Sequence, residues 1–539
     1  MIPLHIHSNY SLLKGTATLD NLIQSAKQAG LKSLALTDLN AMYGLIQFAK
    51  KCKEENIKPI LGAEIDDPNN PSRQAIFLAK NNQGYSELCK IITQRKLNDD
   101  FSLTGTINKF NRNLFVTTHS IDLLKEIKHN ENVFAELISS KNKNKNTRHL
   151  YSFALENKIK FIASNPVYFL NKDDILLHQL VTAIRLNSTF ENLDESELVD
   201  EEYYWKDPQQ LQNLWKSLPE AIANTHFISD QCNVDLKLGE YKYPVYKMPA
   251  QQSSYSFLWE EAYKGFLFHY PNADEATLKR FEYEMSVIKE MHLVDYFLIV
   301  WDIINEARSR GMIFIGRGSA GNSIISYCLG LSQVDPIKYN LYFERFLNKA
   351  RSNPPDIDID FSWKERDGIV RYVFEKYGYE NVAMISTIIT FKAKSAFREV
   401  AKAFGFTNDE ISSYSKYIPW TSAMNLKNLA KIFPESKEIN LNIEPWRTIV
   451  ALAAHIADYP RHLSIHPCGI IVTPTPVTNY VALEYATNKG LGLIITQPDM
   501  YSIEDIGLIK IDLLSQRSLG VLRDTITSIE QNNQLQKNS

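Results

Sequence analysis

The sequence predicts an α/β protein built from several domains. In the first 235 residues, short apolar runs such as LKSLALTDL and KPILGAEI alternate with helical segments such as AMYGLIQFAKKCKEENI. This alternation is typical of an α/β barrel or a layered α/β sheet. Strand-like runs return late in the chain, in CGIIVTP, LGLIIT and IGLIKIDLL. With 539 residues and domains of about 150 residues each, we expect three or four domains.

Changes of pattern along the chain predict where these domains meet. The run KLGEYKYPVYKMPAQQSS contains two prolines and indicates an extended linker. A later stretch, which includes FKAKSAFREVAKAFGF, is helical and amphipathic and predicts an inserted helical subdomain. The chain ends in the polar run EQNNQLQKNS, which we expect to fray. The predicted segments are 1–235, 236–385, 386–459, 460–525 and a polar tail at 526–539.

Composition excludes several classes of protein. Lys and Arg number 59 and Asp and Glu 62, giving a net charge of -3, so a site for a polyanion must be local. Five cysteines without CxxC or Cys/His metal spacing predict free thiols in a reducing, cytoplasmic compartment. They are Cys52, Cys89, Cys232, Cys328 and Cys468. The N-terminus lacks a signal-peptide pattern, and Asp302 interrupts the most apolar segment, so we expect no membrane partner.

The sharpest catalytic signal is PDIDIDF at residues 355–361. Isoleucine alternates with aspartate at the period of a strand, which places Asp356, Asp358 and Asp360 on one face, roughly 6.5 to 7 Å apart in succession. Three carboxylates on one face repel each other and suit divalent cations, which prefer oxygen ligands. The alternative is a solvated acidic edge strand.

A glycine-rich turn, GRGSAGNS at residues 316–323, precedes this strand. Glycines let a backbone approach an anion closely, and we expect Ser319 to cap the following helix, whose N-terminal amides favour a triphosphate. The spacing is not that of a P-loop, so ATPase chemistry is not indicated. The alternative is an ordinary tight turn.

The third signal is KIDLL at residues 510–514, where Lys510 and Asp512 lie on one face of a predicted strand. Asp512 would complete a site for two divalent ions that supports an in-line displacement at phosphate, and Lys510 would neutralise phosphate charge. The alternative is a buried strand with one salt bridge.

These segments resemble the catalytic core of the bacterial family C DNA polymerases, the DNA polymerase III alpha subunit family. FIGRGSAGNSIISYCLG, LYFERFLNKARSNPPDIDIDF, PRHLSIHPCGIIVTP, ITQPDM and IEDIGLIKIDLL carry the resemblance. CLG, the doubled proline and PRHLS are most similar to the error-prone branch. The resemblance implies a polymerase β-like nucleotidyltransferase palm, with segment 386–459 as an inserted α-helical thumb. It also implies a DNA-directed DNA polymerase that uses two Mg²⁺ ions, primer-template DNA and dNTP.

Residue by residue, the resemblance assigns catalysis and metal binding to Asp358, Asp360 and Asp512, with Asp356 supporting. It implies nucleotide contacts for Gly316, Arg317, Gly318, Ser319, Arg345, Arg351 and Lys510. In the thumb, Lys392, Lys394 and Arg398 are candidates for contacts to DNA phosphates, the alternative being an exposed basic helix face.

The front of the chain resembles the polymerase and histidinol phosphatase (PHP) domain, through HIHSNYSLLKGT, LALTDLNAMYGLIQFAKKCKEENIKPILGAEI and IASNPVYFL. His5, His7, Asp38 and Glu64 match metal ligands of that family. Leu39, Pro166 and Tyr168 stand where ligands are expected and cannot coordinate a hard or borderline cation. We therefore expect a scaffold without a PHP-domain metal; the alternatives are a residual site on His5, His7 and Glu64 with His119 nearby, or a phosphoesterase.

Family C polymerases continue after the third aspartate into fingers, a clamp-binding region and an oligonucleotide-binding fold, none of which matches here. Two hypotheses therefore stay open beside phosphoesterase activity. The chain is an active polymerase, or it is a split or remnant polymerase that binds DNA or a partner chain without catalysis. Expected partners include a separate chain that supplies fingers and other replisome proteins.

Overall fold

The computed structural model describes residues 1–128, 130–140, 144–248, 252–349, 355–486 and 492–538. Within these residues, thirteen strands form two sheets, and helices surround both. The strands are β1 (Ser33–Leu36), β2 (Lys58–Asp67), β3 (Asn70–Ala79), β4 (Leu114–Thr118), β5 (Val133–Ile138), β6 (Lys160–Ser164), β7 (Phe314–Arg317), β8 (Asp358–Ser362), β9 (Val382–Thr390), β10 (Pro460–Val472), β11 (Leu483–Tyr485), β12 (Ile494–Asp499) and β13 (Lys510–Gln516).

The helices fall into three groups along the chain. The front region contains α1 (Leu19–Gln28), α2 (Leu45–Glu54), α3 (Asn82–Leu97), α4 (Leu103–Lys109), α5 (Ile121–Glu126), α6 (Asn144–Glu156), α7 (Ile175–Leu186), α8 (Pro208–Leu214) and α9 (Pro219–Gln231). Around the second sheet lie α10 (Ser254–His269), α11 (Glu275–Glu290), α12 (Val294–Ser309), α13 (Ile324–Cys328) and α14 (Arg366–Tyr377), followed after the insertion by α19 (Met500–Asp505) and α20 (Arg517–Asn538). The insertion holds α15 (Ala393–Ala403), α16 (Asn408–Ser415), α17 (Leu429–Ile432) and α18 (Trp446–His455).

The front sheet has the order β1-β2-β3-β4-β5-β6. The central strands β2, β3 and β4 are antiparallel to their neighbours among the three. The outer pairs are parallel: β1 with β2, β4 with β5, and β5 with β6. Ile6 lies between the two ends of this sheet, because its carbonyl accepts from Thr37 N at 2.8 Å and it bridges to Val167. The sheet therefore curls as a half-barrel, and the N-terminal segment spans its opening.

The second sheet has seven strands in the order β11-β12-β9-β10-β13-β8-β7. It is mixed, with β12/β9 and β13/β8 parallel and its other pairs antiparallel. Apolar side chains of β8, β9, β10 and β13 pack on α12 and α14. Two sheets with separate hydrophobic cores confirm the predicted α/β multidomain class.

The helical insertion begins later than the sequence predicts. β9 runs to Thr390, so the predicted boundary at residue 386 falls inside a strand. The β-branched run STIIT favours a strand over a helix there. The helices α15 to α18 build a third core of their own, and Leu180 and Val181 from α7 contribute to it. The insertion thus packs against the front domain.

The end of the chain is also more regular than predicted. Instead of a frayed tail from residue 526, α20 runs from Arg517 to Asn538. Ion pairs of Arg523 with Glu365 and of Lys364 with Asp524 hold its first half beside β8. These tertiary contacts supply stabilisation that the polar sequence alone does not indicate.

The front domain and the second sheet contact each other directly. Met42 N donates to Gln497 Oε1 at 2.9 Å, and Leu483 N donates to Thr93 Oγ1 at 2.9 Å. All five cysteines are free and buried, as the sequence predicts. None of the helices in the described part of the chain combines the length and apolar character that crossing a bilayer requires.

Candidate polymerase active site

The predicted carboxylates lie on two neighbouring strands. β8 and β13 run parallel, and Asp512 pairs in register with Asp358. Asp360 follows two residues later on β8 and lies on the same face. Because neighbouring strands are about 4.8 Å apart, the three carboxylates share one patch of the sheet. The structure therefore brings together side chains that are separated by about 150 positions in the sequence.

The opposite face of these strands is anchored in the core. Its buried side chains are Ile359, Phe361, Ile511 and Leu513. Tyr296, from α12, lies beneath the starts of both strands: its hydroxyl donates to Pro355 O and accepts from Ile357 N, each at 3.3 Å, and lies 3.5 Å from Lys510 O. Tyr296 thus ties β8 to β13 just before their carboxylates, a role that its apolar sequence context does not reveal.

The electrostatics of this patch suit a divalent cation. Burial and the charge of Asp512 raise the pKa of Asp358, against the opposing effect of Arg317. Asp512 Oδ1 is buried and accepts no hydrogen bond from the described residues. A buried, unpaired carboxylate oxygen is unfavourable unless a cation binds it. The donor set therefore fits hard divalent ions, which take carboxylate oxygens.

Arg317 supplies the positive charge nearest to β8. It pairs in register with Asp358 from β7, and its Nε lies 3.2 Å from Asp360 Oδ1 and 4.0 Å from Asp358 Oδ2. The guanidinium thus neutralises the carboxylates. A cation bound by these aspartates would release Arg317 toward an anionic ligand, because the two cations repel each other.

The predicted glycine turn follows Arg317 directly. A Cβ on Gly316 would lie 1.6 Å from Leu331 O, and Gly318 has a φ of +76°, so both positions require glycine. The residues Gly318–Asn322 form a 3-10 turn. Contrary to the prediction, Ser319 does not cap α13, because this turn separates Ser319 from the helix. Ser323 is the cap, accepting from Ser326 N at 3.1 Å.

A buried carboxylate holds the far end of this turn. Glu284 Oε2 accepts from Ser323 Oγ at 2.7 Å, and Glu284 Oε1 accepts from Arg280 Nε at 3.0 Å. Arg280 also donates to Asn322 O at 2.9 Å. Burial raises the pKa of Glu284 to about 7, although Ser323 and Arg280 oppose the shift. Glu284 has no local signal in the sequence, because it lies within an amphipathic helix.

Lys510 lies on the other side of the carboxylates. Its Nζ donates to Asp512 Oδ2 at 3.0 Å and lies 3.5 Å from Asp356 and 3.9 Å from Glu504. Burial lowers the pKa of Lys510, but the hydrogen bond to Asp512 and the charges of Asp356 and Glu504 outweigh it, so the pKa is raised. Asp356 is exposed and precedes the strand, so it acts on the site through Lys510.

Two further arginines were predicted to contact nucleotide. Arg345 is exposed in a 3-10 turn, Phe343–Arg345, that neighbours the glycine turn. Arg351 lies outside the described residues. The structure thus places one of the two beside the site.

The three basic residues of the insertion differ in their surroundings. Lys392 pairs with Asp458. Arg398 donates to Ser412 and Ser415 at 3.2 and 3.1 Å, so it stabilises the contact between α15 and α16. Lys394 is exposed on α15. Of these three residues, Lys394 is therefore the most accessible to a phosphate.

The front domain contains a second cluster of possible metal ligands. His5, His7 and Glu64 each offer a ligand atom within 4.8 Å of the others. His5 Nδ1 lies 2.7 Å from Glu136 Oε1, and His119 Nδ1 lies 3.6 Å from Glu136 Oε2. Glu136 was missed by the sequence analysis, although a carboxylate inside the apolar strand FAELI is itself a signal.

Histidines contact the two buried carboxylates of this cluster, and burial lowers the pKa of His7. Against the effect of burial, the hydrogen bond with His7 and the charge of His5 lower the pKa of Glu64 to about 2. His5 and His119 likewise lower the pKa of Glu136. Asp38 accepts from Ser8 N, Ser8 Oγ and Ser11 Oγ at 2.7 to 2.8 Å. Ser11 Oγ also lies 2.9 Å from His7 Nδ1, so it links Asp38 to the cluster.

Comparisons with known proteins agree with this arrangement. Residues 256–515 match the family described as "Bacterial DNA polymerase III alpha NTPase domain", and residues 3–141 match the PHP domain. The chain is 32% identical to the DNA polymerase III subunit alpha of Bacillus subtilis, over 98% of this chain and 49% of that protein. The chain is similar to the DNA polymerase III alpha family. It spans about half the length of the curated relatives it matches.

Both branches of the DNA polymerase III alpha family are represented among these relatives. The error-prone DNA polymerase of Symbiobacterium thermophilum is 29% identical over 98% of this chain and 52% of its own length. The error-prone DNA polymerase of Bdellovibrio bacteriovorus is 30% identical over 96% of this chain and 50% of its own. Since these identities are close to that of the Bacillus protein, membership of the error-prone branch stays a prediction.

In the front domain, one of the residues that depart from the ligand pattern packs on a histidine. The Tyr168 ring stacks on His7 with centroids 4.1 Å apart. Burial and the charge of Glu64 raise the pKa of Tyr168, so its phenol stays protonated. Leu39 contributes its backbone, whose N–H donates to Ser11 Oγ at 3.1 Å. Pro166 is buried next to the bridge between Ile6 and Val167.

Proposed function

We propose that this chain carries the active site of a DNA-directed DNA polymerase. The primer 3′ hydroxyl attacks the α-phosphate of a dNTP, which extends the DNA by one nucleotide and releases pyrophosphate. The observation that carries the proposal is the register of Asp512 against Asp358, with Asp360 on the same face. The similarity of residues 256–515 to the bacterial DNA polymerase III alpha family supports it.

Asp358, Asp360 and Asp512 would hold two Mg²⁺ ions. Such ions supply a lowered pKa for the attacking hydroxyl and neutralise the leaving pyrophosphate. The residues of the chain do the positioning. The glycine turn would place the triphosphate beside β8. Arg317 would release its contact with Asp360 and bind phosphate oxygens instead. Lys510 would hold Asp512 in place and neutralise the triphosphate from the opposite side.

Primer-template DNA is the second proposed partner. Lys394 on α15 would contact backbone phosphates, while Lys392 and Arg398 would stabilise the insertion. The other half of the relatives' length supports a contribution from further residues, on this or another chain. Positioning by those residues would raise the rate, because phosphoryl transfer depends strongly on orientation. Cytoplasmic location, expected from the cysteines, stays a prediction.

For the front domain we propose a scaffold. His5 contacts Glu136, His7 contacts Glu64, and Tyr168 stacks on His7. Met42 and Thr93 from this domain bind the second sheet. The front domain would therefore hold the polymerase sheet in place, and phosphoesterase activity is the less supported alternative.

The test is Mg²⁺-dependent extension of a labelled primer-template by the 539-residue chain. We expect extension by the wild type and none by Asp358→Asn/Asp360→Asn. The matched control is Asp99→Asn/Asp100→Asn, an exposed pair in the front domain, which should extend like the wild type.

Two outcomes would contradict the proposal. Extension that persists in Asp358→Asn/Asp360→Asn would mean that another site, or a contaminating polymerase, performs the reaction. No extension by any variant, with DNA binding still measurable, would favour the second candidate, a split or remnant polymerase that binds DNA or a partner chain without catalysis.

A further inference from the structure

A bulge in β10 brings two more ligand-type side chains to Asp512. The register of β10 against β9 shifts between Ile465 and Ile470, and Gly469 pairs with Asp512 on β13. His466 and Cys468 lie inside this bulge. Their ligand atoms and a carboxylate oxygen of Asp512 all lie within 4.8 Å of one another.

The three side chains differ from the carboxylates of the polymerase site in their chemistry. Imidazole, thiol and carboxylate together are the ligand types of Zn²⁺, whereas Mg²⁺ takes oxygen ligands almost exclusively. Around a tetrahedral zinc ion the ligand atoms are about 3.3 to 3.8 Å apart, as follows from bond lengths of about 2.0 to 2.3 Å. Since the ligand atoms lie within 4.8 Å of one another, each pair would need to close by about 1.5 Å or less.

The surroundings leave each ligand atom available. Lys510 occupies Asp512 Oδ2, while Asp512 Oδ1 is buried and accepts no hydrogen bond from the described residues. Cys468 is 9% exposed and forms no disulfide. His466 Nδ1 lies 3.5 Å from Cys468 Sγ and accepts from Gly469 N at 2.9 Å. The same nitrogen accepts from Cys468 N at 3.5 Å, so an ion bound there would replace two backbone hydrogen bonds.

We propose that His466, Cys468 and Asp512 form a site for a thiophilic divalent cation of the Zn²⁺ class, distinct from the pair of Mg²⁺ ions but sharing Asp512 with it. Binding forms a sulfur–metal bond and breaks the S–H bond of Cys468, and the proton passes to solvent. Water would complete the coordination. Because a carboxylate bound to Zn²⁺ is withdrawn from the neighbouring site, occupancy inhibits nucleotidyl transfer; this consequence rests on the proposed polymerase function.

Cobalt spectroscopy tests the site without reference to polymerase activity. Co²⁺ takes Zn²⁺ sites, and a thiolate ligand gives a charge-transfer band in the near ultraviolet. We expect this band to grow to one equivalent of Co²⁺ per reduced, full-length chain. Cys468→Ser should lose it, whereas Cys328→Ser, at another buried cysteine, should retain it. Co²⁺ bound at His5, His7 and Glu64 would give no sulfur band.

Absence of the band in the wild type, or its persistence in Cys468→Ser, would overturn the proposal. If Cys468→Ser does not fold, as judged by circular dichroism, His466→Asn serves instead. We expect this variant to weaken Co²⁺ binding at least tenfold while keeping a sulfur band; unchanged affinity would also overturn the site.

The inhibitory consequence has a separate readout. Primer extension is compared with and without Zn²⁺, at the concentration that displaces Co²⁺, and expressed as a ratio for each variant. For the wild type and for Cys328→Ser, extension with Zn²⁺ should be at most about one tenth of extension without it. For Cys468→Ser the ratio should stay near one. Equal ratios for all three would overturn the inhibitory role. Extension absent altogether would count against the polymerase proposal, while the cobalt result still decides the site.

Discussion

Asp512 lies directly opposite Asp358, on the neighbouring parallel strand of the second sheet. The two carboxylates reach this position from segments about 150 residues apart, and Tyr296 ties the starts of both strands together from below. Asp512 also contacts Lys510 and is shared by the proposed Mg²⁺ and Zn²⁺ sites. Substitutions around Asp512 are therefore the most informative.

Replacing Asp512 by Asn should abolish catalysis while preserving the fold. The amide keeps the volume but cannot neutralise a divalent cation, so we expect extension to fall by at least about 100-fold. Single-turnover primer extension at saturating Mg²⁺ measures this. Ser515→Ala, farther along the same strand, is the control. A loss below threefold in Asp512→Asn would contradict the role of this carboxylate.

Arg317→Ala should strengthen the binding of Mn²⁺ and weaken the binding of dNTP. Without the guanidinium beside Asp360 and Asp358, we expect Mn²⁺ to bind the free protein more tightly, by about three- to tenfold. The same change removes a partner for the triphosphate, so KM for dNTP should rise at least tenfold. Mn²⁺ titration by electron paramagnetic resonance and steady-state extension measure the two effects. Weaker Mn²⁺ binding in Arg317→Ala would contradict this account.

Glu284 should make stability depend on pH. Its pKa is raised to about 7 in the folded chain and is near 4.5 when unfolded, so only the folded state binds the proton between these values. Stability therefore falls as pH rises from about 4.5 to 7, by up to about 3 kcal/mol. The Glu284→Gln variant should lack this pH-dependent loss of stability. Thermal unfolding of both proteins from pH 4.5 to 8 measures the difference, and parallel curves would refute it.

The contact between His7 and Glu64 in the front domain should contribute stability rather than polymerase chemistry. Removing His7 leaves Glu64 buried without its closest partner, so His7→Ala should destabilise the chain by about 3 kcal/mol. Glu64→Gln combined with His7→Ala should recover part of this loss. Calorimetric unfolding of the single and double variants gives the coupling energy. Additive losses would show that the two residues do not interact.

The pH dependence of this pair has the opposite sign to that of Glu284. The folded-state pKa of Glu64, about 2, lies below its unfolded value near 4.5. Its contribution is therefore complete above pH 4.5 and is lost as the pH falls toward 2. The difference in melting temperature between wild type and Glu64→Gln should shrink over that range. A constant difference would contradict the shift.

The sequence predicted those parts of the site that a local pattern encodes. Asp358 and Asp360 alternate with isoleucine at the strand period, and the glycines at 316 and 318 precede them at close range. Glu136 contacts His5 across 131 positions, and such a contact has no local signature. Tyr296 and Glu284 were missed for the same reason, since their partners come from distant segments.

Errors in the predicted boundaries have a similar origin. β9 continues to Thr390 because β10 pairs with it, from Thr390 opposite Pro460 onward. α20 forms where ion pairs with Glu365 and Lys364 hold a polar sequence in place. In both cases a partner that is remote in sequence decides the local structure, as tertiary context often overrides propensity.

The most direct test of the central claim is a Mn²⁺ titration that compares Asp358→Asn with Asp512→Asn. If the carboxylates of β8 and β13 form one site, each single substitution should remove the same two ions that the wild type binds at the second sheet. Ions bound by the front domain are identified by the His5→Ala/His7→Ala variant. Retention of both ions in Asp512→Asn, or loss of different ions in the two variants, would contradict a shared two-metal site.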